Sequence, residues 1–397
     1  MDERVYWIWL QNAFGAGSAK PVQLVRRAGS AESLFRGGIG LWSSFTFVSD
    51  RELAALSAYG VREAEAALDY CLRLGQQVYT PDTPGYPDLL REIYNPPAVL
   101  YVRGTLPDAS GDIAIGVVGT RKAGKAGLRA AREICYELAQ EGAAVISGGA
   151  LGVDSEAHRG AIDGRGRTVA VLPCGLDYPY LMDNANLRRE ILDSGGALVT
   201  EYPMQTPVQR GAFQTRNRLI SGMAHGVLVA EAPKKSGALI TARYAEQNRE
   251  VFVFIGEDTA AFAGCIGLAE DGAARIRTAE DILRAFSAQR KSARTALLRQ
   301  AVENVARPAR RVRVVPLSDS AAEAAESEKT PAAPQPEAGL SADAQRVLAS
   351  LGGEPKHAAV LEAETGLSAG SVLAALTELE LLGKIRSYPG QRFTKSD

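Results

Sequence analysis

The strongest constraint on the fold is a regular alternation of apolar runs and amphipathic segments between Ile113 and Phe254. The apolar runs have the length and composition of buried strands, and most segments between them have the apolar spacing of helices. This pattern predicts an α/β fold with a doubly wound parallel sheet. The predicted strands are Ile113–Val118, Ala143–Ser147, Thr168–Leu172, Ala197–Thr200, Gly226–Ala230 and Val251–Phe254.

Three further segments surround this sheet domain, which we place at residues 80–288. Residues 1–75 have helical spacing and glycine-containing turns such as Phe14-Gly-Ala-Gly17, which suits either a loose helix-hairpin-helix that offers backbone N–H groups to phosphates or a simple helical bundle. Residues 289–339 are first basic and then rich in Ala, Glu, Ser and Pro, which predicts a disordered linker. Residues 340–397 regain helical spacing and end in two short strand signals, which predicts a winged helix.

Composition excludes several classes of protein. The chain has 397 residues, of which 46% are hydrophobic and 23% charged. No apolar run approaches the ~18 residues that a membrane span needs, and the N-terminus lacks a signal segment, so we expect a cytoplasmic protein without a membrane partner. The scattered cysteines and histidines predict buried thiols and no metal site. Because the net charge is −1, any contact with nucleic acid has to come from a local basic patch.

The first predicted strand ends in Gly119-Thr120-Arg121-Lys122-Ala-Gly124-Lys125-Ala126. The spacing approaches that of a P-loop, but Ala126 stands where Ser or Thr would bind Mg²⁺, so nucleotide hydrolysis is not expected. Exposed N–H groups at a helix N-terminus, with basic side chains beside them, would still favour a phosphate. The alternative is an ordinary glycine turn with solvated basic residues.

Glycines also follow the second predicted strand, in Ser147-Gly148-Gly149-Ala-Leu-Gly152-Val-Asp154. They would let the backbone pass close to a ligand, and Asp154 could cap the next helix. His158 has no partner within the motif, so we expect it to pack against a neighbouring element. Cys174 follows the third strand without a neighbour that would lower the pKa of its thiol, which predicts a small buried thiol and not a nucleophile.

The motif richest in binding groups is Phe213-Gln-Thr-Arg216-Asn217-Arg218, with Arg210 upstream. Guanidiniums bind phosphates in a bidentate manner and an aromatic ring stacks on any base, so this set suits single-stranded nucleic acid. The alternative is that Phe213 belongs to the core and that the arginines pair with Glu201 or Glu231. Ligands of parallel sheets bind beyond the carboxyl ends of the strands, so we expect these loops to form one composite anion-binding site.

Together these motifs resemble the DprA/Smf family, the DNA-processing proteins of bacterial transformation. The family also has a sterile-alpha-motif-like or helix-hairpin-helix N-terminal domain, a Rossmann-like central domain and a C-terminal winged helix. This chain departs from the family pattern in having two extra residues between Pro179 and Asn184, in Gln214, which replaces a proline, and in the altered segment 264–273. The matching residues are Val118-Gly-Thr-Arg121, Ser147-Gly-Gly-Ala-x-Gly152-x-Asp154, Cys174-Gly-Leu-Asp177, Tyr178-Pro179, Glu201-Tyr-Pro203, Phe213-x-x-Arg-Asn-Arg218, Glu231-Ala232 and Ser236-Gly-x-Leu-Ile-Thr-Ala242.

The resemblance implies a non-enzymatic protein without a cofactor, which binds single-stranded DNA and loads the RecA recombinase onto it. It also implies a homodimer formed through the Rossmann-like domain. No catalytic or metal-binding residue is expected. The implied DNA pocket consists of Gly119, Thr120, Arg121, Arg210, Phe213, Arg216 and Asn217, to which we add Lys122, Gly148, Gly149, Arg218, Ser236 and Gly237 from the same loops.

Two other classes of protein remain as alternatives. A nucleotide-processing enzyme of the lysine-decarboxylase-like phosphoribohydrolase type would use the same scaffold, but it needs a Pro-Gly-Gly-x-Gly-Thr loop that Ser147-Gly-Gly-Ala-Leu-Gly does not match. A duplex-binding transcription factor would read DNA with the third helix of the winged domain. That predicted helix carries Glu378 and Glu380, and an acidic helix is better suited to contacting protein.

Overall fold

The structure is a computed structural model. It describes residues 2–107, 113–246, 249–257, 259–287, 341–352, 356–367, 371–372, 375–376, 379, 384–388 and 392–395. The described residues up to 287 form one compact unit, and those from 341 onward form a second. The predicted basic segment and linker, 289–339, lie outside the described residues.

The first unit begins with five helices, and from residue 114 onward strands and helices alternate as the sequence predicts. The helices are α1 Glu3–Phe14, α2 Lys20–Ala28, α3 Ala31–Trp42, α4 Asp50–Ala58, α5 Val61–Arg73, α6 Asp88–Arg91, α7 Lys125–Gln140, α8 Val153–Asp163, α9 Ala185–Asp193, α10 Ala212–Gly222, α11 Ala238–Glu246, α12 Ala263–Glu270 and α13 Ala279–Ala285. The strands are β1 Gln77–Tyr79, β2 Leu100–Gly104, β3 Ala114–Gly119, β4 Ala144–Ser147, β5 Thr168–Val171, β6 Ala197–Thr200, β7 Gly226–Glu231, β8 Glu250–Val253 and β9 Ala274–Arg275.

The strands of this unit form one sheet in the order β1-β2-β6-β5-β4-β3-β7-β8-β9. The strands from β3 to β9 pair in parallel, whereas β2 runs antiparallel to β6 and β1 antiparallel to β2. The chain builds outward in one direction from β3 to β6 and then returns to the other side of β3 with β7. This reversal makes β3 and β7 the topological switch point, so the prediction of a Rossmann-like doubly wound sheet is confirmed.

The ends of each predicted strand lie within one or two residues of the ends of an observed strand. The prediction succeeds because the central strands are buried on both faces and are therefore apolar at successive positions. Along β3, Ile115 and Val117 pack into one hydrophobic cluster, whereas Ala114 and Val118 pack into another on the opposite face. Side chains of a strand alternate between the two faces, so a strand covered by helices on both sides must be apolar throughout. The pairing of β3 with β7 shifts register between Val118 and Gly119, where the strand gives way to the first glycine-rich turn.

The N-terminal helices share a hydrophobic cluster with one edge of the sheet, which includes Tyr101 and Leu198. Helix α1 is apolar on nearly every side because it lies in the middle of this cluster. The ring of Trp9 lies 5.1 Å from that of Phe35 and 5.4 Å from that of Trp42. The division of residues 1–75 and 80–288 into separate domains stays a prediction, since this shared core joins the two segments.

The second unit contains α14 Ala342–Ser350, α15 Ala358–Thr365 and the strands β10 Lys356–His357, β11 Ile385–Tyr388 and β12 Arg392–Lys395. Strand β12 pairs antiparallel with both β10 and β11, which gives the predicted wing. Val372, Ala375, Leu376 and Leu379 pack against the two helices, so the described part of the predicted third helix contributes to this core. Its remaining residues, including Glu378 and Glu380, lie outside the described residues. Across the part of the chain that the structure describes, no helix is long and apolar enough to cross a membrane.

Candidate nucleic-acid interface

Loops at the carboxyl ends of the parallel strands bring a guanidinium and two aromatic rings together. Arg121 follows β3, Phe213 lies in the first turn of α10, and Tyr180 follows β5. The guanidinium carbon of Arg121 lies 4.6 Å from the centre of the Phe213 ring, which is a cation–π contact. The Tyr180 ring lies 6.3 Å from Phe213 at an interplanar angle of 57°. We call these three residues the strand-end cluster.

The turn that carries Arg121 is held by Glu231, the last residue of β7. The Thr120 N–H donates to the Glu231 carbonyl oxygen over 2.8 Å, and the Gly124 N–H donates to the Glu231 carboxylate at 3.0 and 3.1 Å. The Glu231 side chain is buried and occupies the space that a side chain at Gly127 would need, with its Cβ 2.7 Å from where a methyl group would lie. The switch point therefore fixes a turn whose cationic side chains, Arg121, Lys122 and Lys125, are all exposed.

Because Gly148 has no side chain, two buried charged groups, the Arg216 guanidinium and the Asp154 carboxylate, can pack against its backbone. A methyl group at Gly148 would lie 2.6 Å from Nη2 of Arg216 and 2.6 Å from Oδ2 of Asp154. The guanidinium of Arg216 donates to the carbonyl oxygen of Gly148 over 2.6 Å and to that of Val171, and it is only 5% exposed. The sequence predicts a DNA contact for Arg216, whereas the structure places its guanidinium in the floor of the crevice, where it joins the loop after β4 to the end of β5.

Asp154 does not cap α8, contrary to the prediction. The N-cap position belongs to Gly152, and Asp154 lies in the first turn with its carboxylate buried, accepting the Ala150 N–H at 3.3 Å. Burial raises the pKa of Asp154 above its usual value, and the charge of Arg216 opposes that rise. Burial likewise lowers the pKa of Arg216, with Asp154 opposing. The two buried charges therefore stabilise each other's ionised form.

Arg218 is committed to a different partner. Its Nη2 donates to Oε2 of Glu201 in an ion pair whose two side chains are each 3% exposed. The second carboxylate oxygen of Glu201 accepts the Gly17 N–H at 2.9 Å, and Gln11 donates to the Glu201 carbonyl oxygen. The alternative pairing of an arginine with Glu201 therefore describes Arg218, which lies apart from the strand-end cluster and is not one of its contacts. The same geometry shows that the Gly17 N–H anchors the N-terminal helices and is not free for a phosphate.

Tyr180 is the site residue that sequence reasoning missed. The motif directed attention to Tyr178, which lies at the surface, whereas Tyr180 faces Phe213. Arg188 fixes this segment by donating to the carbonyl oxygen of Tyr180 over 2.6 Å and to that of Leu181 over 3.2 Å. A residue with a left-handed backbone, Leu181 with φ of 43°, follows Tyr180. The two extra residues that the sequence places between Pro179 and Asn184 lie in this same segment, and they are the sequence signal that its turn differs from the family pattern.

The other predicted residues are distributed around this cluster. Arg210 is exposed in the loop before α10, and Lys122 is exposed beyond Arg121. Asn217 is half-buried and its Oδ1 accepts from Nε of Arg216 at 3.1 Å. Gly149 adopts φ of 64°, and its carbonyl oxygen accepts from Asn184 at 3.0 Å. Ser236 and Gly237 lie in the loop between β7 and α11, where the Ser236 hydroxyl accepts the Ala238 N–H at 3.3 Å.

The nucleophile and base candidates near the crevice are buried and neutral. His158 is fully buried beside the Thr168 hydroxyl at 2.7 Å, and burial lowers its pKa to about 3. Burial raises the pKa of the Cys174 thiol to about 11, although Arg188 and Arg216 lie near enough to oppose that rise. Both residues are therefore packing groups, as predicted. Among the described residues, no group of three or more His, Cys, Asp or Glu could hold a metal ion.

Comparisons with known proteins agree with this geometry. The family model described as DNA recombination-mediator protein A matches residues 77–287, and that of the DprA winged helix domain matches residues 331–391. Protein Smf of Synechocystis is 38% identical over 330 residues, which cover 80% of this chain and 80% of that protein. The DNA processing protein DprA of Bacillus subtilis is 39% identical over 199 residues, which cover 50% of this chain and 67% of that protein.

A solved structure supports the same assignment. The X-ray structure of DNA processing protein A from Streptococcus pneumoniae matches with a TM-score of 0.61 and 26% identity, over 72% of this chain and 98% of that chain. The first family model spans the sheet and the strand-end cluster, and the second spans the described residues of the second unit up to 388. The chain is thus a member of the DNA recombination-mediator protein A family, also called DprA/Smf.

Proposed function

We propose that this protein binds single-stranded DNA in the strand-end crevice and acts as a recombination mediator without catalysing a reaction. The observation that carries the proposal is the Arg121 guanidinium held over Phe213 at the topological switch point. Single strands are bound by basic grooves whose aromatic rings stack on bases, and this pair supplies one group of each kind. The family membership of the chain supports the role in DNA processing.

The roles of the cluster residues follow from their exposure and fixation. Arg121, with the exposed Lys122, would contact phosphates, because a guanidinium binds phosphate oxygens in a bidentate manner. Phe213 and Tyr180 would carry a base, since both rings are only half-buried and lie beside each other. Glu231 and Arg216 would hold the loops in place from below. Gly148, which the sequence placed among the DNA contacts, is buried against the side chains of Arg216 and Asp154, so it would shape the floor of the crevice and not touch the strand.

Two finer parts of the proposal rest on the family alone. We infer that the protein delivers the bound strand to the RecA recombinase and that it acts as a homodimer through its sheet unit, in the cytoplasm. Recombinase loading would be measured as the rate at which RecA filaments form on DNA already coated with a single-strand-binding protein. The dimer would be measured by light scattering of the full chain. A monomer at micromolar concentration would remove the second part.

The decisive experiment compares single-stranded with duplex DNA of the same sequence by fluorescence anisotropy at fixed salt. Preference for the single strand is expected because an unpaired base can reach Phe213 and a stacked base pair cannot. In parallel, incubation with nucleoside monophosphates tests for release of a free base, the reaction of the alternative phosphoribohydrolase class. Release of base by the full chain, together with equal affinity for both forms of DNA, would replace the mediator with the enzyme.

A further inference from the structure

A second concave surface lies along the C-terminal half of α10, away from the strand-end cluster. It encloses about 470 Å³ between α10, α11 and the segment that follows α6. This volume falls in the ~300–1,000 Å³ range of small-molecule sites. The cavity is lined by Ile93, Tyr94, Asn95, Arg218, Ser221, Gly222, Tyr244 and Arg249.

The wall of the cavity contains a buried cation with unused donors. Arg218 is 3% exposed, and within the described residues its Nε and Nη1 have no hydrogen-bond partner. Its ion-pair partner does not reach these two donors, because one oxygen of Glu201 accepts from Nη2 of Arg218 and the other accepts the Gly17 N–H. A buried guanidinium with unpaired N–H groups costs free energy unless an acceptor reaches it, and the oxygens of a phosphate are strong acceptors for that geometry.

A second arginine and two aromatic rings complete the surface. Arg249 is largely buried, donates to the Leu89 carbonyl oxygen over 2.7 Å and lies 3.7 Å from Glu92, whose side chain is 64% exposed. The ring of Tyr94 is 80% exposed, which is unusual for so large a group, and Tyr244 is half-buried. Positive charge beside an exposed ring fits a phosphate attached to a base better than an uncharged metabolite or an inorganic ion.

We propose that this cavity is a second subsite that takes one nucleotide unit of the strand bound in the strand-end crevice. This inference rests on the proposed function. Helix α10 connects the two places: Phe213 lies in its first turn and Gly222 at its end, so at ~1.5 Å per residue they are on the order of 13 Å apart along the axis. When one strand occupies both sites, the second contact forms within the same complex, so the affinity for a strand long enough to reach both sites is higher than for a short one.

The test is a length series of labelled oligothymidylates from about 4 to 16 nucleotides, measured by anisotropy with the full chain. The variant Tyr94→Ala removes an exposed ring and leaves Arg218 and its ion pair untouched. Tyr59→Ala is the matched control, because Tyr59 is 43% exposed elsewhere in the same unit. We expect Tyr94→Ala to weaken binding of the long oligomers by about five- to tenfold, as for loss of one stacked base, and to leave the shortest unchanged. Tyr59→Ala should match the unmodified chain at every length.

Three outcomes would overturn the subsite. The first is equal affinity of Tyr94→Ala and the unmodified chain for oligomers of every length. The second is the same loss of affinity at every length, because a second subsite would affect only the oligomers long enough to reach it. The third is that Tyr94→Ala weakens binding of free thymidine monophosphate but changes the affinity for no oligomer. The cavity would then bind a free nucleotide and not a part of the strand. The variant Arg121→Ala separates this test from the proposed function: if it weakens short and long oligomers while Tyr94→Ala changes nothing, only the subsite fails.

Discussion

Replacement of Arg216 by alanine separates two roles that the sequence could not distinguish. A solvent-facing arginine on a DNA-binding helix would contribute to affinity and little to stability. The structure instead places the Arg216 guanidinium under the crevice, donating to the carbonyl oxygens of Gly148 and Val171 and facing the buried Asp154 carboxylate. We therefore expect Arg216→Ala to act mainly on the folded state.

The magnitude follows from what the substitution leaves behind. Removing one partner of a buried charge pair typically costs about 3–5 kcal/mol, because the other charge stays buried without compensation. The two carbonyl oxygens lose a charged donor as well, but these contributions overlap and are not summed. A loss of this size is a large share of the ~5–15 kcal/mol that stabilises a typical domain. It should be visible as a shift of the urea midpoint or as a fall of roughly 10 °C in melting temperature.

The expected loss depends on pH in a defined direction. Burial holds the pKa of Asp154 above its ordinary 3.8 in the folded state, with Arg216 opposing. A carboxyl group with a raised folded-state pKa favours the folded state below its unfolded pKa, and this contribution is lost as the pH rises through the folded-state pKa. Without Arg216 the rise is larger, so the destabilisation should be greater at pH 7 than at pH 4. Asp154→Asn in the Arg216→Ala background should remove this pH dependence.

The assay measures stability and DNA binding in the same samples. Urea unfolding at pH 4 and pH 7 gives the stability of each variant, and anisotropy at pH 7 gives the affinity of the folded fraction. A variant that unfolds at the same urea concentration as the unmodified chain and binds single strands more weakly, with a smaller salt slope, would refute the reasoning. Arg216 would then be a phosphate contact, as the motif alone predicted.

Three further predictions test the remaining groups. Phe213→Ala should lower affinity for single strands by about 1–3 kcal/mol while changing the melting temperature little, whereas a core ring would cost about 3–5 kcal/mol of stability. Glu231→Gln should lower the free energy of unfolding by about 1–2 kcal/mol in urea unfolding, because the Gly124 N–H loses a charged acceptor. An unchanged free energy of unfolding with a higher affinity for single strands would instead show that the Glu231 charge repels DNA. Glu201→Ala should destabilise the chain by about 3–5 kcal/mol by leaving Arg218 buried and unpaired, and Glu201→Ala with Arg218→Met should recover part of that loss in urea unfolding.

The sheet could be predicted from the sequence because its apolar runs have one interpretation. Strands such as Val227–Ala230 are apolar at every position and are separated by helical spacing, so their burial on both faces follows directly. The wing could be predicted for a similar reason, since the sequence places Pro389-Gly390, a typical turn dipeptide, between the segments that form Ile385–Tyr388 and Arg392–Lys395. Local pattern and tertiary packing agree in these segments.

The site could be placed on the right loops but not assigned side chain by side chain. Arg216 and Arg218 lie two residues apart on one helix, so they point to different sides, and each has its own buried acceptor contributed by a distant loop. The sequence offers Glu201 as a partner for these arginines but does not say which of them it binds, and it does not point to the carbonyl oxygens of Gly148 and Val171. Tyr180 was missed for the same reason, because its position beside Phe213 depends on how residues 178–184 turn after β5. Asp154 could not be assigned either, since its partner Arg216 follows more than sixty residues later.

The salt dependence of single-strand binding by Arg121→Ala tests whether the strand-end cluster binds DNA. If the guanidinium over Phe213 contacts a phosphate, its loss should weaken binding by about 1–3 kcal/mol and reduce the slope of log K against log salt by about 0.7. Arg284→Ala is the control, because Arg284 is exposed, 69% at its side chain, and pairs with Glu280 on α13. We expect a loss of affinity and a smaller salt slope for Arg121→Ala only. Binding by Arg121→Ala that matches the control in both affinity and slope would contradict this expectation.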